Sequence, residues 1–234
     1  MTDPVSHFVI IDSNALIHRS YHALPDLSTR DGTPVNAVYG YVSVLLNVLR
    51  TINPDYIGAA FDLEGPTFRD EMYEEYKAQR EKADQALYDQ IPLTKQVLES
   101  FGIPILTAEG YEADDVIGTV TSRMNEEHPN IEVLVVTGDM DTMQLVGERT
   151  KIFSLRKGVK DTVIYDVQGV RDKYDLEPNQ IADFKGLKGD PSDNIPGVSG
   201  VGDKTATQLL QAFEHIENLY ETLEGSESYD ELSE

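Results

Sequence analysis

Three short apolar segments of this chain each lead into an acidic residue, and helical patterns separate them. These pairs are Phe8–Ile11 with Asp12, Tyr56–Phe61 with Asp62, and Val133–Val136 with the turn Thr137-Gly138-Asp139. Strands that alternate with helices predict an α/β domain with a mostly parallel, twisted sheet flanked by helices. Parallel strands end at one edge of a sheet, which is where such folds bind their ligands. We therefore expect these acids to lie near one another.

Apolar spacing, together with Pro and Gly breaks, predicts the remaining elements. We expect helices at about 13–23, 34–52, 91–101, 112–127, 178–187 and 203–213, a strand at Ile103–Leu106, and a hairpin of Lys151–Leu155 with Thr162–Tyr165 around a basic loop at 156–160. The domain prediction is an α/β core at 1–166, a helical lobe at 167–224 and a frayed tail at 225–234.

The composition is that of a water-soluble globular protein, with 40% apolar and 26% charged residues. The absence of cysteine excludes disulfides, thiolate metal sites and a cysteine nucleophile. The first apolar run is too short for a signal peptide or a membrane span, so we predict a cytoplasmic protein.

The formal net charge of −23 contrasts with the basic footprint of most DNA-binding proteins. Two interpretations stay open. The surface is either heavily solvated and without a polyanionic partner, or adapted to concentrated salt, and we favour the second. Under either interpretation, contact with DNA depends on local basic patches and bridging metal ions.

The segment Gly110–Asp115 places three carboxylates, Glu112, Asp114 and Asp115, in the opening turn of a helix. Taken singly, an acid at such a position is better explained as a helix cap or as a partner of the helix dipole. Several acidic segments directed at one edge favour metal binding instead, because divalent cations relieve the repulsion between crowded carboxylates. Oxygen-only ligands favour Mg²⁺ or Mn²⁺, and two such ions can activate water and stabilise the leaving oxygen of a phosphodiester.

A glycine-rich turn, Gly197–Gly202, precedes a helix that starts with Asp203, Lys204 and Thr205. Free backbone N–H groups at such a helix start suit a phosphate. The pattern resembles a helix-hairpin-helix element, which grips the DNA backbone; an ordinary turn between two helices is the alternative.

Two smaller patterns involve basic and aromatic residues. Lys77 and Arg80 have the chemistry to clamp a phosphate while Tyr76 stacks on a base, although their spacing alone fits a solvated surface helix better. His18 and His22 have the spacing of a helical metal pair but no third ligand nearby in sequence, so we assign them surface or phosphate-facing roles.

The ordered motifs together resemble the 5′-nuclease domain of bacterial DNA polymerase I and the wider flap endonuclease family, over nearly the whole chain. The motifs are Ile11-Asp12, Ala37-Val38-Tyr39-Gly40, Phe61-Asp62, Tyr76-Lys77-Ala78, Gly110–Asp115, Thr137-Gly138-Asp139 and Gly189–Val198. The resemblance implies a PIN-like nuclease core with a helical lobe. It also implies 5′→3′ exonuclease and structure-specific flap endonuclease activity on branched or nicked DNA, including RNA primers, in replication and repair.

The resemblance further implies the site residues. One metal cluster would contain Asp12, Asp62, Glu112 and Asp114, and the other Asp115, Asp139, Asp141, Asp190 and Asp193. Lys77 and Arg80 would be catalytic residues in a helical gateway, about 67–95, over the site. The DNA contacts would come from Arg19, Tyr76, Gly197, Gly200, Gly202, Lys204 and Thr205, in relatives with help from K⁺ at the hairpin.

Two features depart from the family pattern. Met140 stands between Asp139 and Asp141, where relatives usually carry a lysine. The chain ends at Glu234, earlier than we expect for this domain, which fits either a fragment of a polymerase or a stand-alone, monomeric nuclease. The alternatives to this function are a non-catalytic binder of DNA junctions on the same fold and a small acidic RNA nuclease.

Overall fold

The central sheet has six strands within the described residues, 5–157 and 161–225, of this computed structural model. The strands are β1 (Ser6–Asp12), β2 (Tyr56–Ala60), β3 (Ile105–Leu106), β4 (Ile131–Thr137), β5 (Thr150–Lys157) and β6 (Asp161–Tyr165). Their order is β3-β2-β1-β4-β5-β6, and every neighbouring pair is parallel except β5 with β6. The predicted mostly parallel sheet and its terminal hairpin are confirmed. The centre of the predicted basic loop, 158–160, and the predicted tail from 226 onward lie outside the described residues.

The helices flank this sheet and form the lobe. They are α1 (Ser13–Ala23), α2 (Asn36–Thr51), α3 (Phe68–Met72), α4 (Gln85–Tyr88), α5 (Gln90–Ser100), α6 (Ala113–Glu127), α7 (Val167–Tyr174), α8 (Ile181–Lys188), α9 (Asp203–Phe213) and α10 (Ile216–Gly225). Of these, α7 and α10 were not individually predicted, and α2 begins at Asn36 instead of at Pro34. No helix in the described ranges is both long enough and apolar enough to cross a membrane.

Alternate residues of the central strands pack on opposite faces of the sheet. Val9 and Ile11 of β1 pack in a first cluster with α1, α2 and α5, whereas Phe8 and Ile10 pack in a second cluster with α6 and α7. A strand buried on both faces reads as a continuous apolar run. This double burial explains why the run Phe8–Ile11 was recognisable as a strand.

The strand order reverses beside β1, and this reversal positions the site. The chain passes from β1 to β2 and β3 on one side, and later returns to β4 on the other side of β1. Open α/β sheets bind ligands in the crevice that such a switch leaves beyond the carboxyl ends of the strands. Asp12 ends β1 and Thr137 ends β4, so both lie at this crevice.

The predicted helical gateway, about 67–95, is helical over only about half of its length in the structure. Only α3, α4 and the start of α5 are helical, and the residues between α3 and α4 form turns and extended chain. Lys77 has a φ of 53°, a left-handed value that interrupts a helix. Its backbone N–H donates to the carbonyl of Asp193 at 3.1 Å, so a contact with the lobe replaces a helical hydrogen bond. We call residues 67–84 the gateway segment.

The lobe has a hydrophobic core of its own. Its buried residues are Leu176, Phe184, Leu187, Ala206 and Leu210. Val170 of α7 instead packs in the second cluster, with the sheet. The predicted domain boundary at 166/167 stays a prediction, and this packing favours a boundary nearer to Leu176.

Candidate metal centre

Asp12 is a buried carboxylate at the crevice, and its two oxygens have different roles. One, Oδ1, caps α1 by accepting from the Ala15 N–H at 3.1 Å; the other, Oδ2, accepts from the Thr137 hydroxyl at 2.6 Å. The side chain is only 3% exposed. Burial raises the pKa of Asp12 to about 6, repulsion from Asp139 and Asp62 adds to the rise, and the two hydrogen bonds oppose it.

The next acids follow β2 and begin α6. Asp62 accepts from the Ala113 N–H at 2.6 Å, which joins the end of β2 to the start of α6. Asp114, one residue later in α6, is directed at the same cleft. Desolvation within the cleft, together with repulsion by Asp12, Asp139, Asp62 and Glu112, raises the pKa of Asp114 to about 8. Because the side chain is also exposed to solvent, water screens part of this repulsion.

A second group of acids joins the end of β4 to the lobe. The Asp141 N–H donates to Asp139 Oδ1 at 2.9 Å, which fixes the turn after β4. One ligand oxygen from each of Asp141, Asp190 and Asp193 lies within 4.8 Å of the others, which is close enough to hold one metal ion. The fold therefore brings Asp190 and Asp193 of the lobe to the sheet edge.

The two groups of acids share one cleft of about 190 Å³. Its lining includes all the predicted metal ligands except Asp115 and Asp190, namely Asp12, Asp62, Glu112, Asp114, Asp139, Asp141 and Asp193. His18 also lines the cleft, as its phosphate-facing interpretation requires. Within the described part of the chain, none of Asp12, Asp62, Asp114 and Asp139 forms an ion pair. Crowded oxygen ligands without a basic partner fit a hard divalent cation such as Mg²⁺ or Mn²⁺.

The gateway segment covers this cleft with basic side chains. Lys77 Nζ lies 2.6 Å from Glu112 Oε1, and Arg80 Nη2 lies 2.6 Å from Asp193 Oδ1. The Tyr76 hydroxyl lies 3.0 Å from Glu112 Oε2 and 3.2 Å from Asp193 Oδ2. All three residues are thus at the site, as predicted, but here they contact candidate ligands. Their catalytic and DNA-binding roles stay predictions.

Asp115 lies apart from the acids with which it was grouped. It receives two hydrogen bonds from Arg69, at 2.6 and 2.8 Å, and one from the Glu112 N–H at 3.0 Å. Burial alone raises its pKa, but the bonds from Arg69 and Glu112 outweigh burial and hold the pKa of Asp115 below its usual range. In this structure Asp115 anchors α3 of the gateway segment, and its role as a metal ligand stays a prediction.

Sequence reasoning missed three residues that organise the site. Thr137 links Asp12 to the turn after β4, because its hydroxyl also accepts from the Asp139 N–H at 2.8 Å. Arg69 anchors Asp115, and Lys185 of α8 contacts two acids of the second group. Their sequence signals were weak. Thr137 reads as the end of a strand, and Arg69 lies 46 positions from Asp115. Lys185 lies far from Asp141 along the chain but only five positions from Asp190, a spacing that sequence reasoning did not use.

The predicted hairpin joins α8 to α9. The Val198 N–H donates to the Leu187 carbonyl at 2.8 Å, and Gly197 has a φ of 67°. A Cβ at Gly197 would lie 2.3 Å from the backbone nitrogen of Gly189, so only glycine fits there. Gly200, at a φ of 84°, and Gly202 lie in open space, and Lys204 and Thr205 are exposed in the first turn of α9. The arrangement matches the predicted helix-hairpin-helix; DNA binding by it stays a prediction.

Two further residues lie beside the cleft. Arg19 packs against Gly138, in the turn that follows β4, and its DNA contact stays a prediction. Met140 packs with the second hydrophobic cluster, its sulfur 3.8 Å from the Ser154 hydroxyl, while its neighbours Asp139 and Asp141 line the cleft. Met140, at the position where the resemblance implies a lysine, thus packs as an apolar side chain against an apolar cluster.

Comparison with protein families identifies both parts of the molecule. Residues 7–175 match the model described as 5′-3′ exonuclease, N-terminal resolvase-like domain, and residues 176–234 match 5′-3′ exonuclease, C-terminal SAM fold. The chain belongs to the 5′-3′ exonuclease family. The predicted family and the assignment as a nuclease are confirmed.

Individual relatives agree with this assignment. The chain is 42% identical to DNA polymerase I of Caldicellulosiruptor bescii over 224 residues, which are 94% of this chain and 26% of the relative. It is 43% identical to DNA polymerase I of Chloroflexus aurantiacus over 223 residues, 93% of this chain and 23% of the relative. The chain thus spans about a quarter of the length of these curated relatives.

Solved structures share the fold at lower identity. A T5 5′-exonuclease with bound zinc superposes with a TM-score of 0.74 at 23% identity, covering 93% of this chain and 79% of that one. A T5 flap endonuclease in a complex with DNA and metal ions gives a TM-score of 0.73 at 22% identity, with the same coverage of both chains. The catalytic core of Rad2 with a DNA substrate gives 0.56 at 18% identity, covering 95% and 66%. The predicted fold class is confirmed.

Proposed function

We propose that this 5′-3′ exonuclease hydrolyses phosphodiester bonds of DNA with two divalent metal ions, Mg²⁺ or Mn²⁺. Its activities are 5′→3′ exonuclease and structure-specific 5′-flap endonuclease, and its substrates are branched or nicked DNA and RNA primers. The observation that carries the proposal is the convergence of carboxylates from β1, β2, α6, the turn after β4 and the lobe on one cleft. Several of these acids lack any ion pair among the described residues, so the cleft is built to receive added positive charge.

The residues that would hold the ions fall into the two groups described above. Asp12, Asp62, Glu112 and Asp114 would hold one ion, and Asp115, Asp139, Asp141, Asp190 and Asp193 would hold the other. The close approach of Asp141, Asp190 and Asp193 supports the second set. When bound, the ions supply activation of a water molecule and stabilisation of the oxygen that leaves. Asp12 is positioned for this role by Thr137, whose hydroxyl fixes the orientation of the carboxylate.

The basic residues of the gateway segment act on the phosphate. Lys77 and Arg80 lie over the cleft, where each contacts a carboxylate. A bound phosphate would replace these carboxylates as the anion that the two cations contact. Fixed cations stabilise the charge that develops on the phosphate in the transition state. Tyr76 lies between them and offers a ring on which an unpaired base can stack. Arg19, at the edge of the same crevice, is placed to contact the entering strand.

The lobe holds the duplex part of the substrate. The exposed start of α9, with Lys204 and Thr205 behind Gly200 and Gly202, presents backbone N–H groups to one phosphate without reading sequence. Backbone carbonyl groups of the hairpin would hold K⁺, which would add positive charge for the phosphate. The enzyme acts as a monomer in the cytoplasm, in replication and repair, in association with a polymerase region like that of its relatives.

Cleavage of a 5′-labelled flap duplex tests the proposal. We expect cleavage with Mg²⁺ or Mn²⁺, no cleavage with EDTA, and a loss of about 100-fold in kcat for Lys77→Ala. Lys82→Ala is the matched control, because Lys82 lies in the same segment, is exposed and does not line the cleft. Cleavage that persists without metal would refute the mechanism, and tight flap binding without turnover in Mn²⁺ would establish the non-catalytic binder instead.

A further inference from the structure

Lys185 connects the two parts of the second group of acids. It lies on α8, and its Nζ is 2.5 Å from Asp141 Oδ1, in the turn after β4, and 2.7 Å from Asp190 Oδ2, in the lobe. The Asp190 side chain is only 10% exposed and that of Lys185 30%. An ammonium group thus sits between two carboxylates that also lie within reach of a single metal ion.

The two groups of acids therefore differ in charge balance. In the second group, Lys185 pairs with Asp141 and Asp190, and Arg80 pairs with Asp193. In the first group, Asp12, Asp62 and Asp114 have no ion pair within the described ranges, and only Glu112 contacts a basic side chain through Lys77 and Arg69. The first group lacks a counter-ion for most of its carboxylates, whereas in the second group Asp141, Asp190 and Asp193 are paired and Asp139 has no ion pair within the described ranges.

An ammonium group and a divalent ion cannot share these two oxygens. Mg²⁺ binds oxygen at about 2.0–2.1 Å, so an ion on Asp141 and Asp190 would lie where Lys185 Nζ now lies. At such separations the repulsion between the two cations is large even in a well-solvated site. Lys185 has room to withdraw, because the cavity of about 470 Å³ that it lines with Asp141 and Asp190 is also lined by Met72, Tyr73 and Ile181.

We propose that Lys185 is an internal counter-cation that a second divalent ion must displace, so that Lys185 sets the affinity of the second metal site and makes it weaker than the first. This inference rests on the proposed two-metal function. It gives the chain a defined order of loading: the group around Asp12 and Asp114 binds first, and the group around Asp141 and Asp190 binds second, at a higher metal concentration.

Counting of bound Mn²⁺ by electron paramagnetic resonance, without DNA, tests the inference. The wild-type protein is expected to show one tight and one weak class of site. Lys185→Met, which keeps the length of the side chain and removes its charge, is expected to tighten the weak class about 10-fold and to leave the tight class unchanged. Lys185→Arg keeps the charge and is expected to leave the weak class weak.

Lys188→Met is the matched control, because Lys188 lies on the same helix and pairs with Asp203, away from the cleft. If Lys185→Met does not fold, Lys185→Gln removes the same charge and carries the measurement. A weak class that keeps its affinity, or becomes weaker, after loss of the charge overturns the inference, as does a single Mn²⁺ site in both proteins. Failure of the wild type to cleave a flap at saturating metal would refute the proposed function separately, because the Mn²⁺ count does not depend on turnover.

Discussion

Replacing Thr137 with valine removes one hydroxyl from the centre of the site while the volume of the side chain stays nearly constant. This hydroxyl is fully buried, donates to Asp12 at 2.6 Å and accepts from the Asp139 N–H at 2.8 Å. A hydrogen bond to a charged group contributes about 1.5–3 kcal/mol. The substitution also leaves the Asp139 N–H without its acceptor. We expect Thr137→Val to lower the affinity for the first metal ion by about 10- to 100-fold, as for other partners that orient a metal ligand.

The same substitution changes the dependence on pH in a defined direction. The Thr137 hydrogen bond lowers the pKa of Asp12, which burial has raised to about 6. Without that bond the pKa of Asp12 rises further, so Asp12 stays protonated to higher pH. The proton on Asp12 then competes with the metal ion over a wider range of pH. The acidic limb of the pH–rate profile for flap cleavage therefore moves to higher pH. Mn²⁺ titration at several pH values gives the affinity independently of cleavage.

The matched control is Thr121→Val, on α6. Thr121 is also buried, but its hydroxyl has no hydrogen-bond partner in the described parts of the chain. We expect this variant to bind metal and cleave as the wild type does. If Thr137→Val keeps the wild-type metal affinity and pH profile while it folds normally, the hydroxyl does not position Asp12 and the reasoning fails.

Four other changes have outcomes that the structure determines. Asp115→Asn breaks the ion pair that anchors the gateway segment, so we expect faster proteolysis of that segment, and an unchanged rate of proteolysis would contradict the anchoring role. The Mn²⁺ count of the same variant tests the separate prediction that Asp115 is a metal ligand, which an unchanged count would contradict. Metal-free protein should lose stability as pH rises from about 4 to 8. The reason is that folding raises the pKa of Asp12 to about 6 and that of Asp114 to about 8. Over this pH range the folded protein binds protons that the unfolded chain has already released. Saturating Mg²⁺ should remove this slope, and a metal-free Tm that stays constant over that range would contradict the assignment. Gly200→Ala should cost about 1–2 kcal/mol through its positive φ alone, and Gly197→Ala should cost more, because its Cβ would also lie 2.3 Å from a backbone nitrogen; equal costs in urea unfolding would refute the close approach. If the acidic surface is adapted to salt, folding and cleavage should survive near ~1 M salt, against the usual loss of DNA affinity; full activity in dilute buffer with unfolding only at high salt would exclude it.

The sheet and its acidic edge could be predicted because both depend on local sequence. Strands buried on both faces are continuous apolar runs, and the acids follow them directly. The sequence patterns set helix capping and metal binding against each other as alternatives for an acid at a helix start. In the structure Asp12 Oδ1 caps α1 while Oδ2 lies toward Thr137 and the crevice, so the first role does not exclude the second.

The gateway segment and most of the counter-ion contacts could not be predicted, because contacts distant in sequence determine them. The pair of Lys185 with Asp190, five positions apart, is local in sequence. The Gln79 side chain donates to the Pro191 carbonyl, 112 positions away, and the Asn194 side chain donates to the Glu75 carbonyl. These contacts favour turns over the helix that spacing alone suggests. Asp115 likewise pairs with Arg69, 46 positions earlier, and no periodic pattern indicates such a partner. Residue spacing indicates the secondary structure that a segment favours by itself. The conformation of these segments depends on the contacts between them.

The contacts between the gateway segment and the loop at 190–195 also have a mechanical consequence. Lys77 bonds through its backbone to Asp193, and Arg80 contacts both the side chain of Asp193 and the Ser192 carbonyl. That loop leads directly into the hairpin at Gly197. A displacement of the hairpin would therefore be transmitted, through a few residues of chain, to Asp190 and Asp193 and to the gateway segment that contacts them. If the hairpin holds a duplex as proposed, duplex binding and the positions of Asp190 and Asp193 are coupled through these contacts, and a change in one is expected to change the other.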